Sequence, residues 1–264
     1  MINLEEIKNN LKSVQIGKRI FFYENIDSTN SEAQRLIDSS NAKFGDLIVA
    51  KTQCSGKGQQ GNSWSSPEGG VYISIITVSK GSEFSNLITF AAGIACVDAV
   101  FSVAAIKTDL KWVNDVMYKG NKLGGILTQS ATRGNLSTNI TGIGINANAV
   151  ITNISNKNKY KATSLTELLG QEININLLIA EICNYFEKYF NLYQKRPDLI
   201  VKKWQKYSNI KDIIVNFEVE CKELSGSAWG VDQMGHLIVV ADYKEYKLTS
   251  TKNVEIVYKT VQIT

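Results

Sequence analysis

A glycine-rich segment with a single lysine is the first part of the chain whose residue types could bind an anion. Residues 53–65 read QCSGKGQQGNSWS and include Gly56, Lys57 and Gly58. Glycines permit positive φ and let a ligand approach the backbone, so their N–H groups can point at negative charge. The spacing matches G-x-G-x-x-G, but a strand-like run at 71–78 follows where the dinucleotide fingerprint requires a helix, and no Walker motif occurs. The segment predicts either an anion-binding loop of another class or an ordinary surface turn.

A second group combines lysines with an asparagine and an aspartate beside strand-forming residues. It consists of Lys111, Asn114, Asp115 and, after a tight turn, Lys122. Lysine supplies a point charge for a polyanion, and a carboxylate can hold Mg²⁺ or accept a proton. The group therefore predicts a site for a phosphorylated ligand and its Mg²⁺. The alternative is a hairpin whose outward face is simply charged.

Two shorter polar segments could complete such a site. Ser28, Thr29 and Asn30 either cap a helix or hydrogen-bond a neutral polar ligand head such as a ureido ring. Asn146 follows the strand-like run at 142–145, where it could reach phosphate or metal, or could merely stop the strand. Both segments carry polar residues at positions where a purely structural strand end would not need them.

The residue types that the chain lacks argue against several kinds of catalysis. Its one histidine, His236, lies beside a glycine in a β-rich region, so a Ser-His-Asp or Cys-His mechanism is not expected. The four cysteines are widely separated and form no C-x-x-C pair, so we expect neither a zinc site nor a disulfide framework. Catalysis is therefore expected to depend on charge and positioning.

The overall composition is typical of a soluble globular protein, and the lack of a disulfide framework makes a reducing cytoplasm the expected compartment. The 264 residues are 44% hydrophobic and 20% charged, with a formal net charge of +4. This mild charge suits a phosphate-bearing ligand without demanding nucleic acid. We find no signal segment and no apolar run near about 18 residues, so no membrane partner is expected.

The elements that position these residues follow from the apolar periodicity. Thr29 and Glu32 have the spacing of a capping box, and an apolar helix face follows them. A strand at 47–52 leads into the glycine segment, a long helix is predicted at 86–101, and strands with short turns cover 110–145. This pattern predicts an α+β fold with a mixed, mostly antiparallel sheet and helices packed on it.

The chain changes character near residue 209. From 213 to 263, short β-rich runs alternate with Gly, Asp and Asn turns, as in a small barrel. We therefore predict two domains, a ligand-binding catalytic domain at 1–208 and a C-terminal β domain at 209–264.

Taken together and in order, the motifs resemble those of the biotin–protein ligase family. The family has S-T-N at a helix start, a strand ending in Gln before G-[RK]-G-x-x-G-x-x-W, then K-W-x-N-D, K-L-[AG]-G-I-L and G-I-G-I-N. The chain has S-T-N at 28–30, Gln53 before the glycine segment and Trp64, K-W-V-N-D at 111–115, K-L-G-G-I-L at 122–127 and G-I-G-I-N at 142–146. The resemblance extends over nearly the whole chain.

The resemblance implies a fold and a reaction. The fold is the catalytic domain of the class II synthetase and biotin ligase type, followed by a small SH3-like β-barrel. In the reaction, biotin and ATP form biotinyl-5′-AMP with the help of Mg²⁺. The biotinyl group then passes to a lysine of a biotin carboxyl carrier protein or domain.

The resemblance also implies roles for individual residues. The catalytic group comprises Lys57, Lys111, Asp115 and Lys122. The biotin-binding group comprises Ser28, Thr29, Asn30, Gln53, Gly56, Lys57, Gly58, Gln59, Lys122 and Gly125. The ATP-binding group comprises Trp64, Lys111, Asn114, Asp115 and Asn146, with Mg²⁺ expected near Asp115 or Asn146.

The chain departs from the family pattern at several positions. Gln59 and Asn62 stand where many relatives have Arg, and Val113 replaces the proline of K-W-P-N-D. Glutamine forms no charge-assisted contact with phosphate, so we expect the adenylate to be lost faster than in arginine-bearing relatives. Only about 25 residues precede Asp27, fewer than the roughly 50 to 60 of a helix-turn-helix module, so we expect a short form without repressor function.

Two other functions stay open on the sequence alone. A lipoate–protein ligase has a related fold and similar chemistry, although Ser28-Thr29-Asn30 and the Lys57 segment favour biotin. A non-catalytic nucleic-acid-binding module on the C-terminal barrel would need a basic aromatic surface, whereas 213–264 mixes lysine with acidic residues. The strands at 122–145 are candidates for a homodimer contact through a sheet edge.

Overall fold

The computed structural model describes residues 1–80, 85–151, 161–208 and 210–257. Its larger sheet contains the strands β1 (Ile20–Ile26), β2 (Leu47–Gln53), β3 (Val71–Lys80), β4 (Asp109–Lys111), β5 (Asp115–Tyr118), β6 (Asn121–Arg133) and β7 (Leu136–Ile145). These seven strands lie in the order β1-β2-β3-β7-β6-β5-β4. The β1–β2 pair is parallel and every other pair in this sheet is antiparallel. The structure therefore confirms the predicted mixed, mostly antiparallel sheet.

Six α-helices accompany this sheet in the described residues. They are α1 (Leu4–Asn10), α2 (Thr29–Asp38), α3 (Ser85–Ala104), α4 (Leu165–Leu169), α5 (Ile175–Lys195) and α6 (Pro197–Ser208). Alternate residues of the central strands point to opposite faces, so that Val49 and Ile73 join the core beside α3 while Ile48 and Ile76 pack under α2. Burial on both faces explains why β2 and β3 are nearly continuous apolar runs.

The long helix α3 is apolar on all sides. Residues 86–104 are long and apolar enough to cross a membrane by length and composition, so the expectation that no such run exists is wrong. In the structure, 72% of the 18-residue window is buried. Phe90 of α3 stacks on Trp204 of α6, with 4.1 Å between the ring centroids. A helix buried between layers needs no polar face.

The start of α2 differs from the predicted capping box. Ser28, and not Thr29, is the N-cap residue, and it makes no side-chain cap hydrogen bond. The Thr29 N–H instead donates to Gln53 Oε1 at 2.8 Å, while Glu32 accepts a hydrogen bond from the Tyr23 hydroxyl. A residue at the end of β2 thus satisfies a helix amide, which fixes the start of α2 beside the glycine segment.

The C-terminal part forms a second, five-stranded antiparallel sheet. Its strands are β8 (Ile214–Val219), β9 (Lys222–Val231), β10 (Leu237–Ala241), β11 (Lys244–Leu248) and β12 (Val254–Val257), in the order β11-β10-β9-β8-β12. Trp112 Nε1 donates to the Gly235 carbonyl oxygen at 3.0 Å and so ties this sheet to the larger one. The structure confirms a small β unit after the α+β part, and the boundary at 208/209 stays a prediction.

Candidate active site

One cavity brings most of the predicted site residues together. It has a volume of about 380 Å³, a size typical of small-molecule sites. The predicted residues that line it are Ser28, Thr29, Asn30, Gln53, Lys57, Gly58, Gln59, Trp64, Lys111, Asn114, Asp115, Lys122 and Gly125. Gly56 and Asn146 do not line it.

Three lysines from separate segments face this cavity. Lys57 comes from the glycine segment, Lys111 from the end of β4 and Lys122 from the start of β6. The tight β4–β5 hairpin pairs Lys111 with Asp115, and β6 runs antiparallel beside β5. The Asp115 carboxylate consequently lies between two ammonium groups. Its Oδ1 is 2.6 Å from Lys122 Nζ, and its Oδ2 is 3.7 Å from Lys111 Nζ.

The charges on the cavity wall are unbalanced. Asp115 is the sole carboxylate among the described residues that line it, so three positive charges face one negative charge. Lys111 and Asp115 are both buried, and their electric fields are screened less than those of surface groups. An anionic ligand, or two anionic groups that must approach each other, would therefore be stabilised here.

Gln53 organises the polar end of the cavity. Its Oε1 accepts hydrogen bonds from the Thr29 N–H at 2.8 Å and the Thr29 hydroxyl at 3.2 Å. Its Nε2 donates to Ser66 Oγ at 2.7 Å. The Thr29 oxygen also lies 2.8 Å from the Ser74 hydroxyl and keeps one lone pair that can accept from a ligand, and the Ser28 hydroxyl is not used in capping. This end can thus offer an acceptor and a donor to a neutral polar group.

Asn30 is fixed by two residues that belong to none of the predicted site groups. Its Nδ2 donates to Gln129 Oε1 at 2.8 Å, and its Oδ1 accepts from the buried Ser74 hydroxyl at 2.6 Å. Gly142 leaves room for it, because a Cβ at that position would lie 2.1 Å from Asn30 Oδ1. Ser74 also lies 2.8 Å from Thr29 Oγ1, so one hydroxyl on β3 supports both residues.

Trp64 covers two glycines on the floor of the cavity. A Cβ on Gly144 would lie 2.6 Å from Trp64 Nε1, and a Cβ on Gly125 would lie 3.1 Å from Trp64 Cζ3. Lys122 Nζ is 5.3 Å from the indole centroid, within range of a cation–π interaction. The indole N–H is buried and has no hydrogen-bond partner. Glycine is thus required at 144 for the ring to reach the sheet, and at 125 it leaves the ring a close but less restrictive contact.

The glycine segment forms a short hairpin over the cavity. Trp64 N–H donates to the Gly56 carbonyl oxygen at 2.8 Å, and Gly58 N–H donates to the Asn62 carbonyl oxygen at 2.7 Å. A Cβ on Gly56 would lie 2.4 Å from the Trp64 carbonyl oxygen. Gly56 therefore shapes the loop rather than lining the cavity, whereas Gly58 does line it.

Asn146 supports the site from outside the lining. Its Nδ2 donates to the Thr163 carbonyl oxygen at 3.0 Å, and its buried Oδ1 has no hydrogen-bond partner. In the described residues no cluster of three or more His, Cys, Asp or Glu could hold a metal ion. Mg²⁺ often takes one or two carboxylates together with substrate phosphates. Among the described residues that line the cavity, Asp115 is the one carboxylate that could bind Mg²⁺. The site therefore suits a Mg²⁺ ion whose other ligands come mainly from the substrate phosphates.

The C-terminal sheet also contributes to the cavity, which the sequence did not predict. Thr251, Val254 and Ile256 line the cavity, and Thr251 contacts the glycine segment. No local motif marks these residues. Ser74 had a detectable signal, because it is a lone serine in the apolar run VYISIITV.

The sequence has relatives among known proteins. Residues 22–146 match the model of the biotin/lipoate A/B protein ligase family. The protein named bifunctional ligase/repressor BirA from Bacillus subtilis (strain 168) is 31% identical over 242 residues, which covers 89% of this chain and 73% of that protein. The human protein named biotin–protein ligase is 29% identical over 217 residues, covering 78% of this chain and 30% of that protein.

The fold is similar to that of solved structures as well. A biotin protein ligase from Aquifex aeolicus, in complex with biotin and ATP, superposes with a TM-score of 0.75. The superposition covers 92% of this chain and 100% of that chain at 23% sequence identity. At this identity the similarity concerns the fold alone.

Proposed function

Because the chain belongs to the biotin–protein ligase family, we propose that it joins biotin to a lysine of a biotin carboxyl carrier protein in two steps. In the first step biotin and ATP give biotinyl-5′-AMP and diphosphate. In the second step the lysine amine displaces AMP. The observation that carries this proposal is the convergence of Lys57, Lys111 and Lys122 on one cavity.

The first step joins two anions. A carboxylate oxygen of biotin attacks the α-phosphorus of ATP, and the bond from that phosphorus to the diphosphate oxygen breaks. No proton has to move, since a carboxyl group with a pKa of about 4 is already ionised. The barrier is the repulsion between the anions, which Lys57, Lys111 and Lys122 would reduce while holding them in line. Mg²⁺ carried mainly by phosphate would neutralise further charge there, and Asp115 could help to hold it by releasing one of its lysine contacts.

The second step needs a neutral amine. The acceptor lysine nitrogen attacks the acyl carbon, the carbon–oxygen bond to AMP breaks, and the amine loses a proton. A free lysine has a pKa of about 10.4, so an orienting group or a base would assist. Asp115 is the candidate, although both of its oxygens are engaged by Lys111 and Lys122. The amine must replace one of these contacts to reach the carboxylate.

The polar end of the cavity favours biotin over lipoate. The ureido ring of biotin carries N–H donors and a carbonyl acceptor, whereas the dithiolane ring of lipoate has neither. Thr29 Oγ1 can accept from an N–H group, and the Ser28 hydroxyl can donate to a carbonyl. A ligand without such groups would leave them unsatisfied, which weakens binding.

Mass spectrometry of a carrier domain incubated with the protein, biotin and Mg·ATP tests the proposal. We expect the carrier to gain one biotinyl group only when ATP is present, and no lipoyl group when lipoate replaces biotin. A carrier whose acceptor lysine is changed to arginine is the control. An unmodified carrier, or preferential transfer of lipoate, would overturn the proposal.

Lys122→Met provides the matched test of the site. It removes the charge nearest to Asp115, so adenylate formation is expected to fall by about 100-fold or more. Lys244→Met, at an exposed position at the start of β11, is the control and should retain activity.

A further inference from the structure

A single hydroxyl of the C-terminal sheet holds the tip of the glycine segment. Thr251 lies in the turn between β11 and β12 and faces the cavity. Its Oγ1 accepts a hydrogen bond from Gln60 Nε2 at 2.8 Å and donates one to Gln59 Oε1 at 2.8 Å. A hydroxyl carries one donor and can also accept, so it matches one amide N–H₂ and one amide oxygen. Both adjacent glutamines are therefore bonded to the same side chain.

The tip has a backbone conformation that requires support. Gln60 has φ 55° and ψ 34°, which is the left-handed region that non-glycine residues seldom adopt. Gly61 follows with φ 76°. Such a conformation persists where surrounding contacts hold it. The hydrogen bond from Gln60 to Thr251 is a contact of that kind.

Gln59 occupies a position where the family pattern often has arginine. Its side-chain oxygen is directed to Thr251 and not left to contact a ligand phosphate. Since glutamine carries no charge, it would in any case bind phosphate weakly. Without an arginine–phosphate contact at position 59, retention of a phosphate-containing ligand must depend on a different contact, one that keeps the glycine segment over the cavity.

We propose that Thr251 is a positioning residue that holds the glycine segment over the cavity and slows the escape of the adenylate intermediate. This role rests on the proposed ligase function. Thr251 acts through Gln59 and Gln60 and takes part in neither chemical step. The C-terminal sheet thereby takes part in the reaction as one wall and as an anchor of the loop.

The first test measures loop opening without any substrate. Trypsin can cleave after Lys57, which is exposed within the segment, and the resulting peptide is quantified by mass spectrometry. Thr251→Val loses both hydrogen bonds at nearly constant volume, so we expect cleavage after Lys57 to become about tenfold faster. Thr251→Ser keeps the hydroxyl and should behave like the wild type. Thr249→Val, an exposed threonine two residues away, is the matched control and should also remain unchanged.

A double-variant cycle separates the anchor from general destabilisation. In a Gln59→Ala/Gln60→Ala background, Thr251→Val should accelerate cleavage no further, because its partners are already absent. An additional acceleration of similar size in that background would overturn the proposal. Equal cleavage of wild type and Thr251→Val would overturn it as well.

The second test follows the intermediate. Protein loaded with labelled biotinyl-5′-AMP is mixed with an excess of unlabelled biotinyl-5′-AMP. The half-life of the labelled adenylate on the protein is recorded. We expect Thr251→Val to shorten that half-life about tenfold, with Thr251→Ser restoring it. An unchanged half-life would refute the role of Thr251. If wild-type protein neither forms nor binds adenylate, the proposed function fails, whereas the proteolysis result still decides whether Thr251 anchors the loop.

Discussion

Asp115 and Lys122 form the tightest ion pair on the cavity wall, with 2.6 Å between Oδ1 and Nζ. The second oxygen of the same carboxylate faces Lys111 Nζ at 3.7 Å. One carboxylate thus sets the positions of two of the three lysines that face the cavity. Removing its charge would leave two buried or half-buried ammonium groups to repel each other.

Asp115→Asn is expected to slow both half-reactions. Adenylate formation falls because Lys111 and Lys122 lose their common partner. Transfer from preformed biotinyl-5′-AMP to a carrier domain is expected to slow at least about tenfold, since the amine also loses its orienting group or base. Single-turnover mixing of synthetic adenylate, protein and carrier measures this step alone.

Asp242→Asn serves as the control for that experiment. Asp242 lies in an exposed turn with φ 49°, a conformation that asparagine tolerates. The Asp242→Asn variant should transfer biotin from preformed adenylate at the same rate as the wild type. Full-speed transfer by Asp115→Asn, with only adenylate formation lost, would show that Asp115 has no role in the second step.

Gly144→Ala is expected to remove Trp64 from the cavity floor. The added Cβ would lie 2.6 Å from Trp64 Nε1, closer than carbon and nitrogen atoms can approach. The displaced indole would stand in the space for ligand, so biotin affinity is expected to fall by about tenfold to 100-fold. Isothermal titration with biotin measures the change.

The exposed turn between β6 and β7 offers a control for Gly144→Ala. A Cβ on Gly134 meets no atom within 4 Å, and its φ of 62° suits asparagine. Gly134→Asn should therefore bind biotin like the wild type. Unaltered binding by Gly144→Ala would mean that the ring does not need to lie on β7 for ligand to bind.

The positions of the three lysines could be predicted from the sequence because each belongs to a motif at a strand end of one sheet. Lys111 and Asp115 lie at the facing ends of two predicted strands, and the observed hairpin of β4 and β5 brings them together. The start of α2 was harder to predict. The spacing of Thr29 and Glu32 fits a capping box, yet Gln53 supplies the hydrogen bond because β1 and β2 are parallel neighbours. Tertiary contact overrides the local signal there.

The contact between Thr251 and Gln59 could not be predicted from the sequence. The two residues are 192 positions apart, and no pattern states how the C-terminal sheet docks on the larger one. Ser74 is an intermediate case. A serine within an apolar strand indicates a buried hydrogen bond, but the partners Thr29 and Asn30 follow only from the packing of α2 on β3.

Ser74→Ala is expected to weaken biotin binding while the fold is retained. Without the hydroxyl, Asn30 Oδ1 loses a hydrogen bond and Thr29 Oγ1 loses a neighbour that fixes its direction. We expect the dissociation constant for biotin to rise by about tenfold, measured by titration calorimetry.

Ser79→Ala is the matched control on the same strand. Ser79 is also buried and accepts a hydrogen bond, from Asn139 Nδ2 at 3.1 Å, but it does not contact the site. The Ser79→Ala variant should lower the melting temperature about as much as Ser74→Ala does, and it should leave biotin binding unchanged. Equal dissociation constants for Ser74→Ala and the wild type would contradict the assigned role of Ser74.

The four thiols are expected to divide into two reactive and two protected groups. Burial raises the pKa of the Cys96 thiol to about 12, and burial, together with the nearby Glu187 and Cys96, raises the pKa of Cys183 as well. At pH 8 the Cys96 thiol is then almost entirely protonated, and only thiolates react with disulfide reagents. Cys54 and Cys221 are exposed. Thiol titration of native protein should therefore give two rapidly reacting groups, and unfolding should release the other two.

Cys54→Ser/Cys221→Ser identifies the groups that react. The double variant should show no rapid reaction in the native state and two thiols in denaturant. Rapid labelling of Cys96 or Cys183 in the native protein, located by mass spectrometry, would show that α3 and α5 separate in solution and that the core between them is not continuously packed.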